Sequence, residues 1–260
     1  MGVMNMTPDS FYAGSRIQDH QATEERIAQM YTEGADWIDV GGYSSRPGAE
    51  DIPAKTEKKR LEPALDMLAS TYPDLPVSID TFRADVANWA IEKYNVSIIN
   101  DISGGHLDPE MMDVAALHNV PYIGMHMRGT PQNMKHKTNY DDLIREMTLY
   151  FADMADKASL AGIKDLIIDP GFGFAKTLED NYMLLNRLRE LLVLDKPILV
   201  GISRKSMIYK LLNIKAEESL YGTLALHTLA INNGASIIRV HDVKPAVQMV
   251  SVIHKTLQSL

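Results

Sequence analysis

The 260-residue chain predicts an α/β fold: a single (β/α)8 barrel of the TIM type over residues 1–260, with its site at the C-terminal mouth of the strands. Three observations carry this. Short apolar runs alternate with longer stretches of helical periodicity, the pattern of βα units that build a parallel sheet. Eight of each can be placed, which closes a barrel rather than leaving an open doubly wound sheet. Most of the apolar runs also end in a polar group at a turn, most clearly in Leu166-Ile167-Ile168-Asp169-Pro170-Gly171.

The first strand is expected at 2–5 and ends in Asn5. The second, 37–40, contains Asp39 and runs into Gly41-Gly42, and the third, 77–79, runs into Asp80. The fourth, 97–100, ends at Asn100 and the fifth, 122–125, at Met125. The sixth, 166–168, delivers Asp169. The seventh, 198–201, leads into Ile202-Ser203-Arg204-Lys205, and the eighth, 237–240, carries Arg239 and leads into His241. Helices are expected at 23–33, 56–70, 84–93, 109–119, 140–161, 178–191, 219–232 and 244–260. Three long irregular segments, 7–22, 41–55 and 128–139, all follow strands and so hang over the mouth, where long loops tend to carry function. The first strand begins almost at residue 1, so nothing is expected to close the barrel floor.

Hydrophobic residues make up 45% of the chain, enough for a large core. No run approaches the ~18 apolar residues that cross a bilayer. A net charge of −8 argues against nucleic-acid binding, which needs a clustered basic face. Without cysteine there are no disulfides, thiolate metal sites or cysteine nucleophiles. No signal peptide opens the chain, so a cytoplasmic location is expected.

Two groups of strand-end residues carry chemistry. Asp80, Asn100, Asp169 and Lys205 combine two carboxylates, an amide and an ammonium, a set that can read the edge of a flat heterocycle. Any one alone could be a rim salt bridge. Asn5, the loop Gly41-Gly42-Tyr43-Ser44-Ser45-Arg46-Pro47-Gly48, and Arg239 with His241 suit an anion such as a phosphate. Arg239 and His241 alternate across Val240 and so are expected on one side of the last strand's end, with His241 able to donate or carry charge. Arg204 and Lys205 sit near a helix N-terminus against its macrodipole, which favours a functional reading over a solvated pair. Asn5 can reach a phosphate or a hydrated magnesium ion. Zinc is disfavoured, because Asn5-Met6-Thr7 stands where a zinc amidohydrolase barrel carries two histidines.

These motifs resemble those of the bacterial dihydropteroate synthases. The resemblance runs end to end: Met4-Asn5-Met6-Thr7-Pro8-Asp9-Ser10-Phe11, Asp39-Val40-Gly41-Gly42 with Ser45-Arg46-Pro47-Gly48, Ser78-Ile79-Asp80-Thr81 and Ile99-Asn100-Asp101. It continues through Met125-His126-Met127-Arg128-Gly129, Asp169-Pro170-Gly171-Phe172-Gly173-Phe174, Ser203-Arg204-Lys205-Ser206 and Arg239-Val240-His241-Asp242. The resemblance implies condensation of 7,8-dihydropterin pyrophosphate with p-aminobenzoate. It places Asp80, Asn100, Asp169 and Lys205 on the pterin with Met125 against the ring, and adds Asp39 to the substrate-binding set. It implies a pyrophosphate and magnesium site at Asn5, Arg46, Arg239 and His241. The p-aminobenzoate walls would be Ser45, Phe174, Lys205 and Ser203, completed by the first two mouth loops with Phe11. Asp80, Asp169, Lys205, Arg239 and His241 would carry the chemistry. Sulfonamides are expected inhibitors and a homodimer through the late helices is the expected assembly.

Some positions depart from that pattern. Tyr43 and Ser45 stand where Glu and Thr are usual, Ala175 where Gly is usual, and Tyr12-Ala13-Gly14-Ser15 differs from the common first loop. The usual N-terminal extension over the barrel floor is expected to be missing. The alternatives are a pterin-binding methyltransferase domain, which handles no pyrophosphate, and a catalytically silent paralogue, which would have lost the charged mouth residues.

Overall fold

The computed structural model describes residues 1–7, 16–45 and 50–258, and the side chains of 16–19 are not described. Phe11 and Arg46, both expected at the substrate site, lie outside these residues. Strands β1 (Gly2–Asn5), β2 (Ile38–Gly41), β3 (Val77–Asp80), β4 (Ile98–Asp101), β5 (Tyr122–Met125) and β6 (Leu166–Asp169) form one parallel ladder in chain order. β7 (Leu199–Val200) and β8 (Ile237–Ile238) pair with each other. Single parallel bridges, Ile168 to Ile198 and Gly2 to Val240, join the two ladders on both sides. Val3 N donates to Val240 O at 2.9 Å and Val240 N to Met1 O at 3.0 Å, which closes the barrel.

Strand alternation explains both faces. Met4, Ile38, Val40, Ile79, Ile99, Tyr122, Ile168 and Val200 are buried in the outer core. They share it with helix residues such as Leu61, Leu65 and Leu68 of α2 (Ala54–Thr71) and Met147, Phe151 and Met154 of α5 (Leu143–Ala161). The alternate positions point inward. At the strand starts they are apolar: Met1, Ile98, Ile123 and Leu199 cluster with Trp37, Ile167 and Ile237. This layer fills the floor from within, which corrects the expectation that nothing closes it. Two residues further along the same strands the inward positions are Asp39, Asn100, Met125, Asp169, Gly201 and Arg239. The polar site therefore rests on an apolar plug, one step deeper on the same strands.

The remaining helices are α1 (Arg16–Thr32), α3 (Ala84–Tyr94), α4 (Met111–His118), α6 (Leu178–Asn186), α7 (Ser206–Leu212), α8 (Leu220–Asn232) and α9 (Val243–Leu257). Their ends follow local chemistry. Asp142 caps α5 by accepting from Arg145 N at 3.2 Å, and Thr177 with Asp180 forms a capping box on α6. Asn95, Asn119 and Asn213 end α3, α4 and α7 in the left-handed conformation.

Three sequence expectations need correction. Helix α7 was not expected; it has seven residues with only Met207 and Ile208 buried, too short to show helical periodicity. The single helix expected at 178–191 is instead α6 followed by a 3-10 segment, Leu188–Leu194. The last two strands are shorter than expected: past β8, Arg239 N still donates to Val200 O at 2.9 Å, but Val240 N turns to Met1 O on β1's side at 3.0 Å.

Candidate active site at the barrel mouth

The centre of the mouth is a charge cluster built from β2, β3, β4 and β8. Asp39 is fully buried and accepts from Ser78 Oγ at 2.6 Å and from Asn100 Nδ2 at 3.1 and 3.3 Å. Arg239 Nε donates to Asp39 Oδ2 at 2.7 Å, and Nη2 reaches Asp39 Oδ2 at 2.6 Å and Asp80 Oδ2 at 2.7 Å. Its Nη1 makes no hydrogen bond with a described residue. One guanidinium thus neutralises one of two carboxylates and leaves an excess negative charge. Burial raises Asp80 to about 7, with Arg239 pulling the other way and Asp39 adding to the rise. Burial disfavours the Arg239 charge too, but Asp39 and Asp80 outweigh it and its pKa moves up. Gly41 leaves room for Asp80 here: a Cβ at that position would lie 3.3 Å from its side chain, which would have to give by a few tenths of an ångström.

The other half of the mouth follows β6. Asp169 Oδ1 accepts from Gly171 N at 2.8 Å, an Asx turn that Gly171 completes at φ +69°. Any side chain on Gly171 would meet His126 O at 2.2 Å, so this position needs glycine. Burial raises the Asp169 pKa, and Lys205 holds it down. Lys205 is pulled down to about 8 by burial, with Asp169 opposing. Its Nζ donates to Phe172 O and lies 4.7 Å from the Phe174 ring centroid. Met125 is buried beside this loop, in a cluster with Ile102, Met127, Met134 and Ala175 against Phe82 and Phe174.

A third group joins β7 and β8. His241 Nδ1 lies 3.0 Å from Ser203 Oγ, which also accepts from His241 N at 3.2 Å. The hydroxyl can give its hydrogen to Nδ1, the tautomer that puts the ring hydrogen on Nε2, or accept from Nδ1 with its second lone pair. Burial, then Arg239 and Arg204, lower the His241 pKa to about 4.

The structure therefore gathers Asp39, Asp80, Asn100 and Arg239, and sets Asp169, Lys205 and Phe174 together across the mouth. The Arg239 guanidinium lies on Asp39 and Asp80, and the His241 imidazole on Ser203. Burial and the neighbouring arginines favour a neutral His241 when no anion is bound. The Ser203 hydroxyl is engaged by His241 and so can orient the imidazole. Arg204 forms a bidentate pair with Asp242, at 2.6 and 3.0 Å, and needs no ligand to explain it. Asn5 and Ser45 are partly exposed, and the Asn5 amide makes no side-chain hydrogen bond with a described residue. Sequence reasoning missed Ser78, Asn181 and the pair Lys176–His126. Of these only Lys176, an ammonium straight after Phe-Gly-Phe-Ala, leaves a trace in the sequence.

Comparison with known proteins agrees with this geometry. A profile of the pterin-binding enzyme family matches residues 1–241. Dihydropteroate synthase of Synechocystis is 44% identical over 97% of this chain and 88% of its own. The crystal structure of dihydropteroate synthase from Clostridium difficile, in the presence of pteroic acid, superposes with a TM-score of 0.92 at 36% identity, covering 98% of this chain and 95% of its own. The Yersinia pestis enzyme with a sulfonamide drug gives a TM-score of 0.92 at 38% identity, covering 99% and 94%.

Proposed function

The chain belongs to the dihydropteroate synthases of the pterin-binding enzyme family, and from that premise we propose a division of labour across its barrel mouth. It condenses 6-hydroxymethyl-7,8-dihydropterin diphosphate with p-aminobenzoate, giving 7,8-dihydropteroate and pyrophosphate in folate biosynthesis. The arrangement that carries the division is a pair of acids at separate strand ends of the mouth, the half-buried Asp80 bound to Arg239 and the buried Asp169 near Lys205.

In this reading Asp80 and Asp169 accept from the amino and ring N–H groups of the pterin. Lys205 and Asn100 donate to its acceptors, Asp39 holds Asn100 and Arg239 in place, and Met125 packs against the ring. A carboxylate presents two oxygens in one plane, which matches two adjacent N–H donors. The departing pyrophosphate meets Arg239 Nη1, the Nε2–H of His241 and Arg46. These donors stabilise charge as it develops on the leaving group, while the pterin methylene turns carbocation-like and is captured by the aryl amine. Phe174, Lys205, Ser45 and Phe11 bound the p-aminobenzoate side. Sulfonamides, one of which the Yersinia pestis neighbour binds, would compete there.

The donor set suits magnesium held chiefly by the pyrophosphate. Among the described residues no three His, Asp or Glu side chains gather as a cage. Magnesium keeps much of its water and takes one or two protein oxygens beside substrate phosphates, and the Asn5 amide supplies such an oxygen. When bound, the ion offsets charge on the leaving group.

For assembly, the exposed Leu211, Leu212, Tyr221, Leu229, Val250 and Val252 on α7, α8 and α9 support a second copy as the covering partner. A dimeric mass in light scattering checks this, and monomers at micromolar concentration would refute it. No described helix is long and apolar enough to cross a membrane, and a cytoplasmic setting completes the reading. Steady-state pyrophosphate release tests the activity itself. One pyrophosphate per dihydropteroate is expected only with both substrates, and release without p-aminobenzoate would contradict the coupling.

A further inference from the structure

The loop after β6 is held almost atom by atom by side chains. Asp169 Oδ1 accepts from Gly171 N at 2.8 Å, and Asn181 Oδ1 from Gly173 N at 2.6 Å. Lys205 Nζ donates to Phe172 O, and Tyr140 Oη to Ala175 O at 2.8 Å. Gly171 O and Phe174 O both accept from Lys176 Nζ, at 3.0 and 3.1 Å, and Gly171 O also accepts from Phe174 N at 3.1 Å. The third contact of that ammonium is His126 Nδ1 on the far side, at 3.2 Å.

Lys176 is 8% exposed and forms no salt bridge with a described carboxylate. Its Nζ meets three polar partners, which together match the three donors of an ammonium, while burial pulls its pKa down to about 7 with Asp169 opposing. Burying such a charge is costly, so the position calls for a reason. Helix stabilisation does not supply one, because a cation just before the α6 N-cap Thr177 opposes the helix dipole. His126 is suited to accept. Its ring is 3% exposed, packs edge-on to Tyr150 with centroids 4.8 Å apart, and is kept neutral by burial and then by Lys176 and Arg128. What the tripod holds is the turn from Gly171 to Phe174 at both its ends, fixed to the residue that follows β5.

We propose that Lys176 is a positioning residue for the p-aminobenzoate half of the site: it ties the Phe174 wall to β5 through His126 and sets affinity for the aryl amine without touching it. This rests on the reading above that Phe174 bounds p-aminobenzoate. The pterin side should be largely spared, because Asp169 keeps its own clip on Gly171 N.

Lys176→Met keeps the aliphatic stem and removes all three donors. The KM for p-aminobenzoate should rise about fivefold or more as preorganisation is lost, with kcat and the KM for the pterin substrate within about twofold. His126→Phe removes one acceptor of the three and should shift the same KM in the same direction by about twofold. Phe174→Ala is run beside them. A folded Lys176→Met enzyme with wild-type KM for p-aminobenzoate, while Phe174→Ala raises it, overturns the proposal and leaves the site reading intact. So does a fall in kcat accompanied by equal rises in both KM values. If Lys176→Met does not fold, an unchanged KM in His126→Phe overturns it. If Phe174→Ala leaves the KM unmoved as well, the placement of the aryl amine fails, and this proposal with it.

Discussion

The two sides of the mouth use buried charge in different ways. On the β2–β3–β8 side, Asp39, Asp80 and Arg239 satisfy one another directly, at 2.6 to 2.7 Å. On the β6 side, Lys176 and Lys205 donate to backbone carbonyls, and the Asp169 carboxylate accepts from a backbone N–H. The first arrangement links side chains from distant strands and leaves a surplus negative charge and an unused guanidinium nitrogen. The second fixes the shape of one loop. A site that must release an anion and also hold a flat ring gains from both: a cluster whose partners can be exchanged, next to a surface that stays rigid.

Removing Arg239 should have the largest effect. Arg239→Ala leaves Asp39 and Asp80 buried without their cation, and breaking a buried pair in this way costs about 3–5 kcal/mol. Denaturant unfolding should show that loss together with weakened pyrophosphate binding. A loss below about 1 kcal/mol would mean the cluster is solvated like a surface pair. No single loop contact on the β6 side should cost as much.

A smaller effect, confined to the first side, comes from pH. Burial lifts Asp80 from its ordinary value to about 7. If its carboxylate accepts from the pterin, pterin affinity should weaken as pH falls below about 7, the side on which Asp80 is protonated. The stability linkage has the opposite sense. A raised folded-state pKa favours the folded protein fully below the unfolded value, and this contribution is lost as pH rises through about 7. Calorimetric titration from pH 5.5 to 8.5, roughly spanning that pKa, would show the affinity trend. In Asp80→Asn the trend should flatten, and a wild-type trend that persists there assigns the titration to another group.

The smallest effect concerns the β6 loop. Ala175 adopts φ +48°, a left-handed conformation that costs a non-glycine residue about 1–2 kcal/mol. Ala175→Gly relieves that strain but adds about 0.5–1 kcal/mol of unfolded-state freedom. The net change in melting free energy should stay within about 1 kcal/mol on the stabilising side. A clear destabilisation would mean the Ala175 methyl, buried against Met125 and its neighbours, matters more than the strain.

Most of the barrel was legible because each strand couples an apolar run to a polar end, a pattern local enough to see in one sequence. Asp39, Asp80, Asn100 and Asp169 could be placed at the mouth for that reason. Their partners could not. Arg239 meets Asp39 across 200 residues, and nothing near either residue announces the pairing. The same limit hid Ser203 on His241 and His126 on Lys176, contacts made only when strand ends come together. Helix α7 escaped because seven residues cannot display a period. The shortened last strands escaped because which neighbour a backbone N–H turns to is a property of backbone geometry and leaves no residue signature.

The central claim is that the β6 acid reads the pterin while the pyrophosphate is held elsewhere, and Asp169→Asn tests it most directly. The asparagine can keep its oxygen on Gly171 N, so the turn survives, while the second oxygen becomes a donor facing a donor, a mismatch of ~1–3 kcal/mol. Isothermal titration of this variant should show affinity for the pterin diphosphate falling about tenfold or more, inorganic pyrophosphate affinity unchanged, and the melting temperature nearly so. Equal losses for both ligands, or lost melting temperature with ligand selectivity intact, would contradict the division of the mouth.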